Sequence, residues 1–135
     1  MNQLMTPAEF AAKSVGLPWK KWRSDWEGCD CYGLVLLYLK HVLGIELPPV
    51  QWNDKGEAFA AHSLEWEGCE PEAGALGWMA FIDDAPTHCG ILLSPVKMLH
   101  CSGSEAQGGS VRVSSLRFVQ DFYGELRFFR RATAC

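Results

Sequence analysis

Two kinds of side chain in this sequence could do chemistry together: a thiol at one point and imidazoles at another. The thiol is Cys31, within Gly28-Cys29-Asp30-Cys31-Tyr32-Gly33-Leu34-Val35. Asp30 suits a helix N-cap and an apolar run follows it, so the pattern predicts a helix over 31–43 with Cys31 in its first turn. Unpaired backbone N–H groups and the positive end of the helix dipole then point at the sulfur and favour the thiolate, which is the nucleophilic form. The same N–H groups could hold an oxyanion on an attacked carbonyl. The plainer alternative is that Cys31 is a small buried apolar residue. Cys29 lies before the N-cap, receives less from the dipole and reads as structural. Gly33 costs ~1 kcal/mol relative to alanine inside a helix. Close approach by another element or a substrate would account for it.

A thiol nucleophile needs a base, and the base needs an orienting partner. The four histidines are His41, His62, His88 and His100. His41 and His62 fall on predicted helices and read as surface or packing residues. His88 begins an apolar run to Leu93, and His100 ends the run from Val96. Folding these two strands about Ser94-Pro95 makes the histidines near cross-strand neighbours, the geometry a base–orienter pair requires. Cys89 and Cys101 follow the histidines directly and must face the other side of the sheet, into a core. A mononuclear zinc site built from Cys31, His88 and His100 is the competing reading, since these ligand types suit zinc.

Other elements must position these groups. Thr6, Pro7 and Glu9 form a capping box that opens a first helix, with Phe10 and Val15 facing a core and Gly16 ending it. Residues 17–29 read as irregular and aromatic, with Trp19, Trp22 and Trp26; at least two of these tryptophans should pack the core. The helix from Cys31 is apolar nearly all round and therefore central and buried. Gly44 closes it. A weaker helix is expected over 54–66 and a loop over 68–77. Strands follow at 78–82, 87–93 and 96–101, then a small-residue loop at 102–110 and a short strand at 111–113. One or two helical turns at 115–123 and a last strand at 126–131 complete the chain. Helices first and an antiparallel sheet second make the class α+β.

Composition narrows the functional classes. The chain has 135 residues and a formal net charge of −4, the size of one domain over 1–135 and without the basic footprint of a nucleic-acid binder. The longest apolar run, Leu34 to Leu39, is far short of the ~20 residues that span a bilayer. The first residues have neither a basic flank nor an apolar core, so no signal peptide is read and synthesis in the cytoplasm is expected. Of the six cysteines, none forms a Cys-x-x-Cys pair, and free thiols are expected.

Taken in order, the motifs resemble those of the NlpC-type cell-wall cysteine peptidases, compact relatives of papain. They are Val15-Gly16-Leu17-Pro18-Trp19, Cys29 to Val35, Gly44-Ile45-Glu46-Leu47-Pro48, Glu72-Ala73-Gly74-Ala75-Leu76, His88-Cys89-Gly90-Ile91-Leu92 and Met98-Leu99-His100. The resemblance covers most of the chain. It implies a papain-like α+β fold, a central antiparallel sheet with the nucleophile helix packed on it. It implies that Cys31 is the nucleophile, His88 the base and His100 its orienter, with Trp19, Asp30, Tyr32 and Gly33 near the substrate. The implied reaction is hydrolysis of peptide bonds in peptidoglycan stem peptides, with no cofactor and no metal. The branch most similar is that of phages and prophages, where an aromatic residue like Tyr32 often follows the nucleophile. Phage tail proteins are its implied partners, with neither nucleic acid nor membrane. Two further readings stay beside it: a tail component with an idle site, and a thiol acyltransferase or thioesterase. Wall-recycling members often carry tyrosine where Trp19 stands and serine where Tyr32 stands. The aspartate common after the glycine at 74 is absent.

Overall fold

A computed structural model describes residues 4–21, 23–45, 66–82, 85–104 and 106–131. Helix α1 is Pro7–Ser14, closed at its start by the predicted box: the Glu9 N–H donates to Thr6 Oγ1 and the Thr6 N–H to Glu9 Oε1. Phe10 is buried as expected, but Val15 is 48% exposed. The helix stops one residue before Val15, and Ser14 takes the inward position instead. Residues 17–29 are more regular than their composition indicates. Strands β1 (Ser24–Asp25) and β2 (Gly28–Cys29) pair antiparallel, and Trp19 bridges to Cys29.

Helix α2, Cys31–Tyr38, continues as a π-helical turn over Leu39–Leu43 and ends at Gly44, whose φ of +71° is a left-handed conformation that glycine adopts freely. Seven of its eight α-helical residues are buried, as an all-round apolar sequence requires. All of the helix expected over 54–66 except Trp66, His62 included, lies outside the described residues. Trp66, placed at the end of that helix, instead opens strand β3, Trp66–Gly68.

Strands β4 (Leu76–Ile82), β5 (Ala85–Ser94), β6 (Lys97–Ser104), β7 (Gly108–Ser115) and β8 (Leu126–Arg131) complete a six-stranded antiparallel sheet of order β3-β8-β4-β5-β6-β7. Helix α3, Leu116–Tyr123, joins β7 to β8 and is capped by Ser115, whose Oγ accepts from the Phe118 N–H. Three strand boundaries differ from expectation. The loop read over 68–77 is shorter, because Gly68 belongs to β3 and β4 begins at Leu76. The β5–β6 hairpin turns through Pro95 and Val96, with Ser94 opposite Lys97. The small-residue segment 102–110 is not a loop but mostly strand: β6 runs to Ser104 and β7 starts at Gly108. Small side chains there mimic loop composition, yet the hairpin ladder pairs Ser102 with Ser110 and Gly103 with Gly109.

Alternation along the strands sorts the sheet into two faces. Leu76, Trp78, Cys89, Ile91, Leu99, Cys101 and Val111 pack with α2. Met79, Leu92 and Met98 pack on the other face with Val119 of α3. Cys89 and Cys101 are thus core residues, as the alternation argument expected. No helix among the described residues is long and apolar enough to cross a membrane.

Candidate active site

The site grows from the start of α2. The Asp30 carboxylate accepts from the Gly33 N–H at 2.7 Å, and its carbonyl accepts from the Leu34 N–H. This cap fixes where the helix begins and therefore where Cys31 sits. The glycine at 33 also has a reason: a Cβ there would lie 1.9 Å from the Arg23 carbonyl oxygen. The segment before β1 crosses the helix at that point, and the Asp30 N–H donates to the same oxygen. The close approach is by another part of the chain. Because Asp30 engages the Gly33 and Leu34 N–H groups, an oxyanion would have to be held by donors other than those two.

The two histidines stand on the α3 face of the sheet. His88 is opposite Met79, and His100 opposite Gly90, so they are diagonal neighbours on adjacent strands. Gly90 makes room for them, since a Cβ there would lie 3.0 Å from His100 Cβ and 2.8 Å from the Leu99 carbonyl oxygen. His88 Nε2 lies 3.4 Å from His100 Nδ1, and both rings are buried. His100 Nε2 is 2.9 Å from Ser114 Oγ on β7. The Ser102 Oγ approaches His100 Nδ1 at 3.2 Å and the Tyr123 hydroxyl at 2.7 Å. The Tyr123 ring stacks on His88, with centroids 4.6 Å apart and planes 20° from parallel. Burial holds His100 down to about 4, with the neighbouring His88 and Arg112 adding to the effect. At neutral pH His100 is therefore an uncharged ring with one donor and one acceptor nitrogen.

Nucleophile and base candidates come from opposite faces of the sheet, yet they share a cleft of ≈ 280 Å³. Cys31, Asp30, Trp19, Cys101 and Gly103 line it from one side, and His88, Ser102 and Tyr123 from the other. Ala80 also lines it with a φ of +56°. A side-chain-bearing residue in that region carries strain of about 1–2 kcal/mol, which marks a locally over-determined site. Tyr32 packs against Trp78, with ring centroids 6.2 Å apart. Neither Tyr32 nor Gly33 is among the described residues that line the cleft.

The remaining candidates separate cleanly. Trp26 packs on Phe10 and His41, with the Lys13 ammonium over its ring, while Trp22 lies outside the described residues. The Cys29 thiol is pushed up, first by its hydrogen bond with Cys101 and then by burial. This fits a structural thiol rather than a nucleophile. Among the described residues, no three His, Cys, Asp or Glu side chains converge in a way that could hold a metal ion. Sequence reasoning missed Tyr123, Ser102 and Ser114. Ser102 was detectable as the residue two beyond His100, had the strand been extended, and Ser114 follows from pairing that longer strand with its neighbour.

A helix-start cysteine packed on an antiparallel sheet that carries a histidine pair defines a papain-like α+β fold. Residues 17–127 match the NlpC/P60 family, and the chain belongs to that family. Solved structures agree with this fold. The NlpC/p60 domain of the peptidoglycan hydrolase SagA superposes with a TM-score of 0.63 at 21% identity, covering 95% of this chain and 97% of that one. A Staphylococcus aureus protein described as similar to lipoprotein, of the NLP/P60 family, gives 0.65 at 20% identity over 96% of this chain; the match spans 41% of that protein. No curated protein sequence matches. Family membership implies a cysteine peptidase acting on peptidoglycan.

Proposed function

We propose that the protein hydrolyses peptide bonds in peptidoglycan stem peptides, with Cys31 as nucleophile, His88 as general base and acid, and His100 as the residue that orients it. One observation carries the reading: Cys31 and His88 line the same cleft, while His88 is held from behind by a buried neutral imidazole. His88 Nε2 is directed to His100, which leaves Nδ1 as the ring nitrogen that can exchange a proton with substrate or thiol. For His100 Nδ1 to accept from His88 Nε2–H, the His100 proton must sit on Nε2. There Ser114 Oγ accepts it. The Ser114 contact thus accommodates the working tautomer.

The chemistry then follows. The Cys31 thiolate attacks the amide carbonyl, forming the C–S bond. As the tetrahedral species collapses, the C–N bond breaks and His88 gives its proton to the leaving amine. Water, deprotonated by His88, cleaves the thioester and restores the thiol. Trp19 and Asp30 are the substrate contacts this cleft supports best, with Tyr32 and Gly33 acting behind them. Cys31→Ala is expected to abolish release of stem-peptide fragments from purified sacculi while the far-UV spectrum and melting temperature stay at wild-type values. Digestion of wall by Cys31→Ala at the wild-type rate would overturn the assignment.

We further propose the phage-tail branch. The feature that supports it is the residue type after the nucleophile, the aromatic Tyr32, which packs against Trp78. On this reading the enzyme is made in the cytoplasm and reaches the wall on a tail. Its detection by mass spectrometry in purified particles tests this, and recovery only in the particle-free fraction would refute it. A tail component with an idle site would retain fold and thiol but cut no wall. An acyltransferase or thioesterase would act on thioester or acyl substrates and spare stem peptides.

A further inference from the structure

His100 Nδ1 has more neighbours than it can serve. A neutral imidazole has one acceptor lone pair, and here it lies on Nδ1 if His88 is to be held. His88 Nε2 approaches that nitrogen at 3.4 Å and Ser102 Oγ at 3.2 Å. With His88 in the working tautomer, both groups carry a hydrogen. If Ser102 donates to Nδ1, the His88 Nε2–H loses its acceptor and the ring is free to adopt the tautomer that cannot take a proton from the thiol. Among the described residues Ser102 has one other close polar neighbour, the Tyr123 hydroxyl at 2.7 Å, where either oxygen can be the donor. That contact is the shorter of the two.

We infer that Tyr123 is a positioning residue: its hydroxyl oxygen accepts the Ser102 proton and so reserves the His100 lone pair for His88, while its ring, stacked on His88, holds the imidazole in plane. This rests on the peptidase reading of Cys31 and His88. Tyr123 reaches both histidines because it ends α3 directly over their face of the sheet. The ring contact to His88 is at 4.6 Å, and the perpendicular approach to His100 is at 6.3 Å.

The arrangement makes an unusual genetic prediction. Tyr123→Phe keeps the ring and removes the acceptor, so Ser102 turns to His100 and competes with His88. The expected loss in kcat is about tenfold, the size of one buried hydrogen bond, with KM nearly unchanged. Ser102→Ala alone removes the competitor together with its contact to Tyr123, and supplies the reference rate against which the double variant is read. The double variant Tyr123→Phe/Ser102→Ala is expected to recover most of the lost rate, since no donor is left to compete. A structural role for the tyrosine would instead leave the double variant as slow as Tyr123→Phe or slower.

The experiment measures kcat and KM on a synthetic stem peptide for the four proteins. Alongside it runs the rate of Cys31 alkylation by iodoacetamide, which needs no peptidase substrate. Nitrogen-15 NMR of the imidazoles gives the tautomer, with His100 expected to be protonated at Nε2. Wild-type rates for Tyr123→Phe, no recovery in the double variant, or a His100 protonated at Nδ1 would each overturn the inference. If the wild type cuts no stem peptide but alkylation falls in Tyr123→Phe and recovers in the double variant, the network stands and the peptidase reading fails.

Discussion

Replacing His100 by asparagine should flatten the acid dependence of stability, because His100 is a buried base that resists protonation in the fold. Its ordinary value is 6.5 and the fold holds it at about 4, through burial first and then through His88 and Arg112. The sign follows from proton binding. As pH falls below about 6.5 the unfolded chain takes up the proton and the folded chain does not, so stability is lost progressively until about pH 4, where both states are protonated. Above about 6.5 neither state is protonated and the contribution is complete. The difference of about 2.5 units corresponds to about 3 kcal/mol, with a slope approaching 1.4 kcal/mol per pH unit mid-window. Urea denaturation followed by tryptophan fluorescence, at about pH 4, 5, 6 and 7, measures this for wild type and His100→Asn. Asparagine cannot titrate but can still accept from His88. The difference between the two proteins cancels carboxylates and His41, which are common to both. Stability curves that stay parallel to within about 0.5 kcal/mol across the window would refute the buried, neutral His100 on which the site argument depends.

Three further outcomes are expected. Gly33→Ala should destabilise the fold by about 3 kcal/mol or more, because the added methyl meets backbone that cannot turn aside; chemical denaturation measures it, and a loss under about 1 kcal/mol would show that the loop yields. Asp30→Ala should cost about 1–2 kcal/mol through loss of the cap, with Asp30→Asn retaining at least half of that, read as melting temperatures. Ser114→Ala should lower kcat/KM by about threefold to tenfold with little change in stability, because it frees the His100 tautomer; equal activity in the two proteins would remove Ser114 from the mechanism.

Much of the site was legible because its parts announce themselves locally. A capping aspartate before an apolar run locates Cys31, and two histidines on the two arms of one hairpin locate the pair. The register is diagonal rather than directly opposite, because the hairpin turns at Pro95-Val96 with a shift between Leu92 and Ser94. What was not legible depends on distant segments. The glycine at 33 answers to the Arg23 carbonyl ten residues earlier, and nothing in the helix itself indicates which element comes close. Ser102 was hidden because serine and glycine resemble loop, whereas cross-strand pairing decides their state. Tyr123 reads only as the end of an amphipathic helix until the sheet beneath it is known. Val15 was misplaced by a single residue, which on a helix end is the difference between core and solvent.

The last strand of the sheet in sequence is not last in space. β8 lies between β3 and β4, where it pairs with both. During synthesis the β4–β7 meander can therefore form while β4 still shows a bare row of amide and carbonyl groups, and β3 has no partner until residues 126–131 leave the ribosome. A nascent chain stalled before Leu126 would present that open edge as a template for other strands, a recognised route to aggregation. Closure of the sheet is in this sense a late, long-range event, and cells producing the protein should accumulate insoluble material whenever translation stops short of β8.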